Sequence, residues 1–276
     1  MRRAAIVLLV LLVLLVLLAG ASAAWRSVRP SHDRRWSAEQ ARLATADIRG
    51  ARVAITDVRN FTWPADGPPA EKWETRTYDL DALETAWYVV APFDTDWRGP
   101  AHAFVSFGFA DSQYVAISIE ARREAGEEYS MLRGVLKGYE LIYVIGDERD
   151  LIGGRVSRQQ DDVFVYPVRA TPEAVRALFL DMLGEANAIA AQPRFYGTLR
   201  SNCTTLLLTH VNRLLERPIG WGPRILLPGY SDALALRHGL VDTELSIEEA
   251  RARYRINDAA VRWSGSADFS VRIRFR

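Results

Sequence analysis

The sequence predicts an α+β protein in which an antiparallel β-sheet packs against helices, preceded by an N-terminal transmembrane helix. Apolar residues alternate along residues 102–109 and 114–124, which predicts strands, and an amphipathic stretch over residues 171–191 predicts a helix. An uncharged apolar run over residues 4–24 predicts the membrane helix. With 49% hydrophobic and 25% charged residues, the rest of the chain is expected to form a hydrophobic core.

The N-terminal apolar run has two interpretations. Its length matches the roughly 20 residues that a membrane-spanning helix needs. Its basic start at Arg2 and Arg3 and its small residues 21–23 are instead typical of a cleaved signal peptide. We favour a retained anchor, because the run is longer than a signal core and is followed by Trp25, where interfacial aromatic residues occur. Both interpretations export the rest of the chain.

Three parts follow from this organisation. Residues 1–24 are the membrane anchor or signal segment, residues 25–36 are a polar linker, and residues 37–276 are the folded domain. A retained anchor would pass once through the inner (cytoplasmic) membrane and leave the domain facing the periplasm or the cell exterior. Basic residues flank the run on both sides, so charge alone does not set its orientation. Cleavage of the leader and the oligomeric state are left open.

The elements of the domain are predicted from periodicity and turn residues. Ser37 can cap a short helix over residues 38–46, and Thr171 with Pro172 begins the helix that continues to residue 191. Further strands are expected over residues 51–63, 75–80, 86–92, 139–156 and 162–168, and an edge strand over residues 268–276. Further helices are expected over residues 204–216, 231–238 and 246–254.

The hairpin over residues 102–124 has a constrained register. Facing strands must place their apolar residues on the same side, because a slip of one residue would move the whole set to the other face. A three-residue loop centred on Asp111 satisfies this condition and places His102 opposite Glu120. His102, Ser106, Ser118 and Glu120 then share the face opposite to the apolar set. A histidine near a glutamate on a strand can equally be a polar pair on a solvated face.

Cys203 is the only cysteine of the chain, and it lies where a polar turn gives way to an apolar helix. Asn202 can cap that helix, and the amides and positive end of the helix would stabilise a thiolate. The same amides, supported by Asn202, Thr204 and Ser118, could bind the oxyanion that forms when a thiolate attacks a carbonyl. The alternative is a buried, inert thiol, since free cysteines are usually buried.

A cysteine nucleophile requires a base, and the chain has four histidines. His32 falls in the linker and His238 near a helix end, so both are expected at the surface. His210 is seven residues beyond Cys203, which places it roughly 10 Å along the helix, too far for a direct hydrogen bond. His102 is therefore the predicted base, with Glu120 as the residue that orients its ring.

Other chemistries find little support in the sequence. The net charge of +1 provides no electrostatic footprint for a nucleic acid. There is no HExxH motif, no paired CxxC and no glycine-rich phosphate loop after a strand. We therefore expect no metal, no cofactor and no nucleic-acid partner.

Four stretches of the chain together resemble the DUF4105 family of bacterial envelope proteins: WRGPAHAFVSFGFADSQYVAISIEARRE, YELIYVIGDERDLI, PRFYGTLRSNCTTLL and LLPGYSDALALRHGLVDTE. The resemblance covers residues 53–249. It implies a fold related to the NlpC/P60 and papain-like thiol enzymes in circularly permuted order, with the histidine strand ahead of the cysteine helix. The family's histidine and cysteine correspond to His102 in AHAF and Cys203 in NCTT, and Glu120 lies in the matching SIEARRE stretch.

Some members of that family are associated with lipoprotein N-acylation. The resemblance therefore implies a membrane-anchored cysteine-dependent acyltransferase that acts through an acyl-thioester on a membrane lipid or lipoprotein substrate. An NlpC/P60-like cell-wall amidase or peptidase acting on peptidoglycan peptides, and a non-catalytic envelope scaffold, are the alternatives. An acyltransferase should have an apolar groove, which the loop around Trp221 could line, whereas a peptidase should have a polar cleft. The acyl donor, the acceptor and the choice between transfer and hydrolysis are left open.

Overall fold

The computed structural model describes residues 2–64, 67–94, 98–220 and 222–274. The chain divides into two units, Met1–Asp33 and Arg34–Arg276. The first unit contains helix α1 (Arg2–Ser27). Among the described residues, no helix is long and apolar enough to cross a membrane. The predicted transmembrane helix is therefore not supported by this structure.

The second unit is built on one eight-stranded sheet. Its strands run in the spatial order β1-β2-β7-β6-β5-β4-β8, with β3 paired to β2. All the pairings are antiparallel except a single parallel bridge between β2 and β7. The strand bounds are β1 Thr45–Arg49, β2 Arg52–Arg59, β3 Trp73–Asp79, β4 Leu83–Pro92, β5 Ala101–Phe109, β6 Tyr114–Arg122, β7 Glu140–Gly146 and β8 Phe164–Pro167.

Helices pack against the sheet, as the sequence predicts, so the class is mixed α/β. The helices of this unit are α2 Met131–Val135, α3 Pro172–Ala191, α4 Cys203–Asn212, α5 Pro223–Leu226, α6 Ser231–Arg237, α7 Ile247–Tyr254, α8 Asn257–Arg262 and α9 Phe269–Arg272. Helix α3 contacts β1, β4 and β7, and α4 contacts β5 and β6. Thr171 caps α3 by accepting a hydrogen bond from the Ala174 amide, which confirms the predicted start of that helix.

The hairpin of β5 and β6 has the predicted register. Val105 pairs with Ile117 and Phe107 pairs with Val115, and the amide of Phe109 donates to the carbonyl of Gln113 to close a three-residue loop. Both faces of the hairpin are covered: Val105 belongs to the core cluster on one face, and Phe104 to the cluster on the other. The face that carries His102 is therefore buried, which excludes the solvated-face interpretation.

The prediction of a helix over residues 38–46 is wrong. A single 3-10 turn covers Ala38–Gln40, and the chain then enters β1. Tertiary hydrogen bonds explain the difference, because Arg122 donates to the carbonyls of Gln40 and Ala41. The side chain of Gln40 also bonds Glu120, Ala121 and the Arg123 amide. These contacts with β6 override the local helix propensity.

The strand expected over residues 139–156 ends early. Strand β7 stops at Gly146, and two π-helical turns follow over Arg149–Gly153 and Arg155–Gln159. Asp150 fixes this segment, because it accepts two hydrogen bonds from Arg59, one from the Phe61 amide and one from the Trp63 indole. π-Helical turns are rare in proteins, and those that occur are often found at functional sites.

The prediction of an edge strand over residues 268–276 is wrong for residues 268–274, which the structure describes. Residues Phe269–Arg272 form α9, and Phe269 and Ile273 are both buried in one core cluster. Phe269, Val271 and Ile273 alternate as a strand would, but Phe269 and Ile273 are also four residues apart, which places them on one helix face. Burial of that face decides between the two patterns.

Candidate functional site

The hairpin places a histidine, a serine and a glutamate in a hydrogen-bonded row. Nε2 of His102 lies 2.6 Å from Oγ of Ser118, and that hydroxyl donates to Oε1 of Glu120 at 2.7 Å. Nε2 itself is 3.8 Å from Oε1, so Ser118 lies between the two residues that the sequence pairs directly. Because the Ser118 hydrogen is used toward Glu120, its oxygen accepts from Nε2–H. The imidazole is then the tautomer whose Nδ1 is free of a proton.

Burial sets the protonation states of this row. Desolvation and the nearby charge of Arg155 lower the pKa of His102 to about 3, against the opposing effect of Glu120. Desolvation alone would raise the pKa of Glu120. The charge that His102 carries once it is protonated in acid, the charges of Arg59 and Arg155, and the Ser118 hydrogen bond lower it to about 2. His102 is therefore neutral and Glu120 is ionised at neutral pH.

The lowered pKa of His102 predicts acid sensitivity of the fold. Below its ordinary pKa of 6.5 the imidazole takes up a proton in the unfolded chain, whereas in the folded chain it does so only near pH 3. This contribution to the free energy of unfolding is present above pH 6.5 and is lost as the pH falls toward 3. In His102→Gln we expect a flatter decline over that window, measured by urea unfolding at a series of pH values.

The control for this experiment is His238→Gln, which removes an exposed histidine at the end of α6. It should follow the wild-type pH profile. A His102→Gln profile parallel to that of the wild type would contradict the assignment of a buried neutral imidazole.

Cys203 is the first residue of α4, and the helix start is held by Asn202. The side-chain oxygen of Asn202 accepts from the amides of Thr204 at 3.0 Å and Thr205 at 2.8 Å, and the Thr205 hydroxyl accepts from the Asn202 amide. The predicted cap is thus confirmed, with a reciprocal capping box. The amides of Thr204 and Thr205 are already bonded in this structure, so their use for an oxyanion stays a prediction.

The sulfur of Cys203 contacts the other half of the site. It lies 3.7 Å from Oγ1 of Thr204, and the backbone amide of Ala103, the residue after His102, is close enough to lower the pKa of the thiol. Burial raises the pKa of the Cys203 thiol, while the Ala103 amide, Thr204 and the charge of Arg155 lower it. The net direction is upward, so the resting group is a thiol.

One cavity of about 330 Å³ brings these residues together. His102, Glu120 and Cys203 all line it, although a hundred positions separate the histidine from the cysteine. Its wall also includes Phe93, Tyr129 and Tyr196. A buried thiol, a neutral imidazole and an ionised carboxylate on one cavity wall can act chemically as a nucleophile, a base and a group that orients the base.

Neither His210 nor His238 lines the cavity of Cys203. Nδ1 of His210 donates to the Asp181 carboxylate at 2.6 Å, and its Nε2 lies 2.8 Å from the Tyr143 hydroxyl. It is buried, and these bonds fasten α4 to α3 and β7, which is a structural arrangement. His238 is exposed at the end of α6, as predicted.

A second, apolar cavity of about 110 Å³ lies against helix α4, which begins at Cys203. Thr204, Leu207, Leu208 and Val211 of α4 form one wall, and its other lining includes Val105 of β5 and Ile225 of α5. Thr204 is the residue whose hydroxyl contacts the Cys203 sulfur. The apolar cavity is thus lined by the residue next to Cys203, and it shares no lining residue with the cavity of Cys203. Trp221, the predicted lining residue of such a space, lies outside the described residues.

Sequence reasoning missed Arg155. This residue lines the cavity of Cys203, and its charge affects His102, Glu120 and Cys203. The π-helical turns carry it to the site, and the only local signal was the glycine pair 153–154 before it. Gly154 allows close packing there, since a Cβ would lie 2.7 Å from the Trp63 indole nitrogen.

Comparisons with known proteins identify the family. No curated protein and no solved structure matches the chain. A family model described as the Lnb N-terminal periplasmic domain matches residues 70–220, more than half of the chain. The matched segment includes His102, Glu120 and Cys203 and is that of a periplasmic envelope protein. The chain therefore belongs to the family of Lnb N-terminal periplasmic domains.

Proposed function

We propose that the protein is an envelope thiol acyltransferase that works through Cys203 and His102, and that its fold is a permuted relative of the NlpC/P60 and papain-like enzymes. The observation that carries the proposal is the common cavity of Cys203, His102 and Glu120. The resemblance to the DUF4105 family supports an acyl donor, with lipoprotein N-acylation as the reaction. The periplasmic family supports a substrate in the envelope.

The reaction would proceed in two transfers. His102 accepts the thiol proton as the Cys203 sulfur attacks the donor's ester carbonyl, a C–S bond forms, the ester C–O bond breaks, and the proton passes to the leaving alkoxide. An amine of the acceptor then attacks the thioester, the C–N bond forms and the C–S bond breaks. His102 takes the proton that the amine nitrogen loses and passes it to the leaving sulfur, which restores the thiol. Because the thiol pKa is raised and the imidazole pKa is lowered, proton transfer accompanies the attack instead of preceding it.

Two apolar features favour an acyl group over a peptide as the transferred part. The apolar cavity that Thr204, the neighbour of Cys203, helps to line is of a kind that takes hydrocarbon. Exposed apolar side chains also lie near the cavity of Cys203, including Phe93 on its wall and Met131 and Leu132 of α2. Thr198 joins α2 to the Cys203 helix, because it donates to the Met131 carbonyl and accepts from the Asn202 side chain.

The test is intact-mass analysis of the full-length chain after incubation with phospholipid or with a muropeptide. We expect the mass of an acyl chain on Cys203 with phospholipid. A peptide mass instead would support the cell-wall amidase. The polar residues Gln40, Arg123 and Arg155 on the same cavity wall favour that alternative. Absence of any adduct with either substrate would support the non-catalytic scaffold.

A further inference from the structure

A polar cavity of about 70 Å³ adjoins the cavity of Cys203. The two cavities share four wall residues: Glu120, Arg123, Arg155 and Gln159. The polar cavity is lined by four arginines, Arg59, Arg123, Arg155 and Arg158, against three carboxylates, Glu39, Glu120 and Asp150. A group bound here would be separated from the thiol cavity only by shared side chains.

Two of those carboxylates are committed to other partners. Asp150 is fully buried and takes a two-pronged hydrogen bond from Arg59, at 2.8 and 3.1 Å. Glu120 is bonded to Ser118 at 2.7 Å and to the amide nitrogen of the Gln40 side chain at 2.8 Å. The other three guanidinium groups are those of Arg123, Arg155 and Arg158. The ionised Glu120 lies on the same wall and Arg155 also pairs with Asp161, so one carboxylate of the cavity remains to be placed.

That carboxylate is Glu39. Its Oε1 lies 2.7 Å from Arg158 and its Oε2 3.4 Å from Arg123. A carboxylate held between two guanidinium groups occupies the position that an external anion would take. Both arginines are partly exposed, at 52% for Arg158 and 32% for Arg123, so an anion from outside can reach them.

Arg155 has donors to spare. Both of its hydrogen bonds leave from Nη1, to Gln159 at 3.0 Å and to Asp161 at 3.1 Å. Within the described chain, Nη2 and Nε of this arginine therefore keep hydrogen-bond capacity, and the side chain lines both cavities. The guanidinium is 13% exposed, which makes an anion bound to it less screened than at the surface.

We propose that this arginine-lined cavity is an anion subsite, in which Arg155, Arg123 and Arg158 hold a phosphate or phosphodiester group of the acyl donor in place of the Glu39 carboxylate. The identification of the anion as part of the donor rests on the proposed function. The subsite would fix the donor's polar end while its ester carbonyl lies at Cys203. Guanidinium groups suit this task because their planar donors match phosphate oxygens.

The first test measures binding of inorganic phosphate and of sn-glycerol 3-phosphate to the full-length chain by titration calorimetry. Removal of one guanidinium in Arg155→Gln or Arg158→Gln should weaken binding about tenfold or more, since one charge-assisted hydrogen bond is lost. Glu39→Gln should tighten binding, because it removes the competing carboxylate. Opposite effects of the two kinds of variant are not expected from a general loss of stability.

The controls are Arg176→Gln and Asp81→Asn, which remove the same charges from an exposed ion pair at the surface. Both should bind phosphate as the wild type does. If Arg155→Gln fails to fold, variants of the exposed Arg158 and the half-buried Glu39 still provide the test. Absence of phosphate binding, or binding that none of the three site variants changes, would overturn the subsite.

The second test identifies the source of the anion. Cys203 acylation is followed with an anionic phospholipid and with an uncharged diacylglycerol of the same chains, and the ratio of the two rates is compared. Arg158→Gln should lower this ratio about tenfold, and Arg176→Gln should leave it unchanged. A constant ratio alongside altered phosphate binding would assign the site to a free anion and overturn the donor assignment. Absence of acylation from both donors would instead contradict the proposed function and leave the phosphate result standing.

Discussion

Cys203→Ala is expected to abolish acyl transfer, because no other thiol exists in the chain to form the thioester. The loss should exceed about a thousandfold, the scale on which removal of a nucleophile acts in other covalent enzymes. The measurement is formation of the acyl adduct from phospholipid by intact mass, with transfer to a lipoprotein amine followed in parallel. The substitution removes a single buried sulfur atom, so the fold should remain intact.

Cys203→Ser is the matched control for packing, since it keeps a side chain of similar size next to the Ala103 amide. It too should form no thioester, and both variants should unfold close to the wild-type temperature. The decisive result against the proposal is a Cys203→Ala chain that restores a deletion strain to normal growth and lipoprotein acylation. That outcome would identify the protein as a scaffold.

Arg274→Met is expected to cause the largest loss of stability, about 3–5 kcal/mol in the free energy of unfolding. Arg274 and Glu148 form an ion pair in which both side chains are fully buried. Arg274 also bonds the Ser270 carbonyl at 2.5 Å, and its guanidinium lies over the ring of Tyr114 at 4.1 Å. Removal of the cation would leave the Glu148 carboxylate buried without its partner, which is costly. Denaturant unfolding at pH 7 measures the effect.

Arg272→Met, two residues earlier at the end of α9, is the control. Arg272 is 48% exposed and pairs with Asp268 four residues earlier, an interaction worth only about 0.3–0.5 kcal/mol. The double variant Arg274→Met with Glu148→Gln should recover part of the loss, because the unpaired charge is then removed. Equal small losses in Arg274→Met and Arg272→Met would show that the buried ion pair does not hold the C-terminal segment.

Local rules predicted the parts of this protein that local physics controls. The register of the β5–β6 hairpin follows from its apolar alternation and loop length, and it brought His102 and Glu120 together on one face. Helix starts at Thr171 and Asn202 follow from side chains that bond nearby amides. The sequence did not predict that the Ser118 hydroxyl lies between His102 and Glu120, because its position depends on a side-chain rotation that no sequence pattern records.

Tertiary contacts controlled the segments where the sequence-based predictions were wrong. Residues 38–46 form one 3-10 turn and then β1, because Gln40 and Arg122 bind that segment to β6. The tail forms α9 because Phe269 and Ile273 bury one helix face. Arg155 reaches the thiol cavity on π-helical turns, which have no period that the sequence reveals.

By itself, the sequence determined the capped cysteine helix and the register of the histidine hairpin, since each depends on neighbours within a few positions or on the alternation of apolar residues. Only the tertiary structure decided that Cys203 and His102 line a common cavity. It also decided that arginines from the end of β2, from the residue after β6 and from the π-helical turns line the polar cavity beside it. Proximity across a hundred residues follows from how a sheet and its helices close around one core, and that closure is a property of the whole chain.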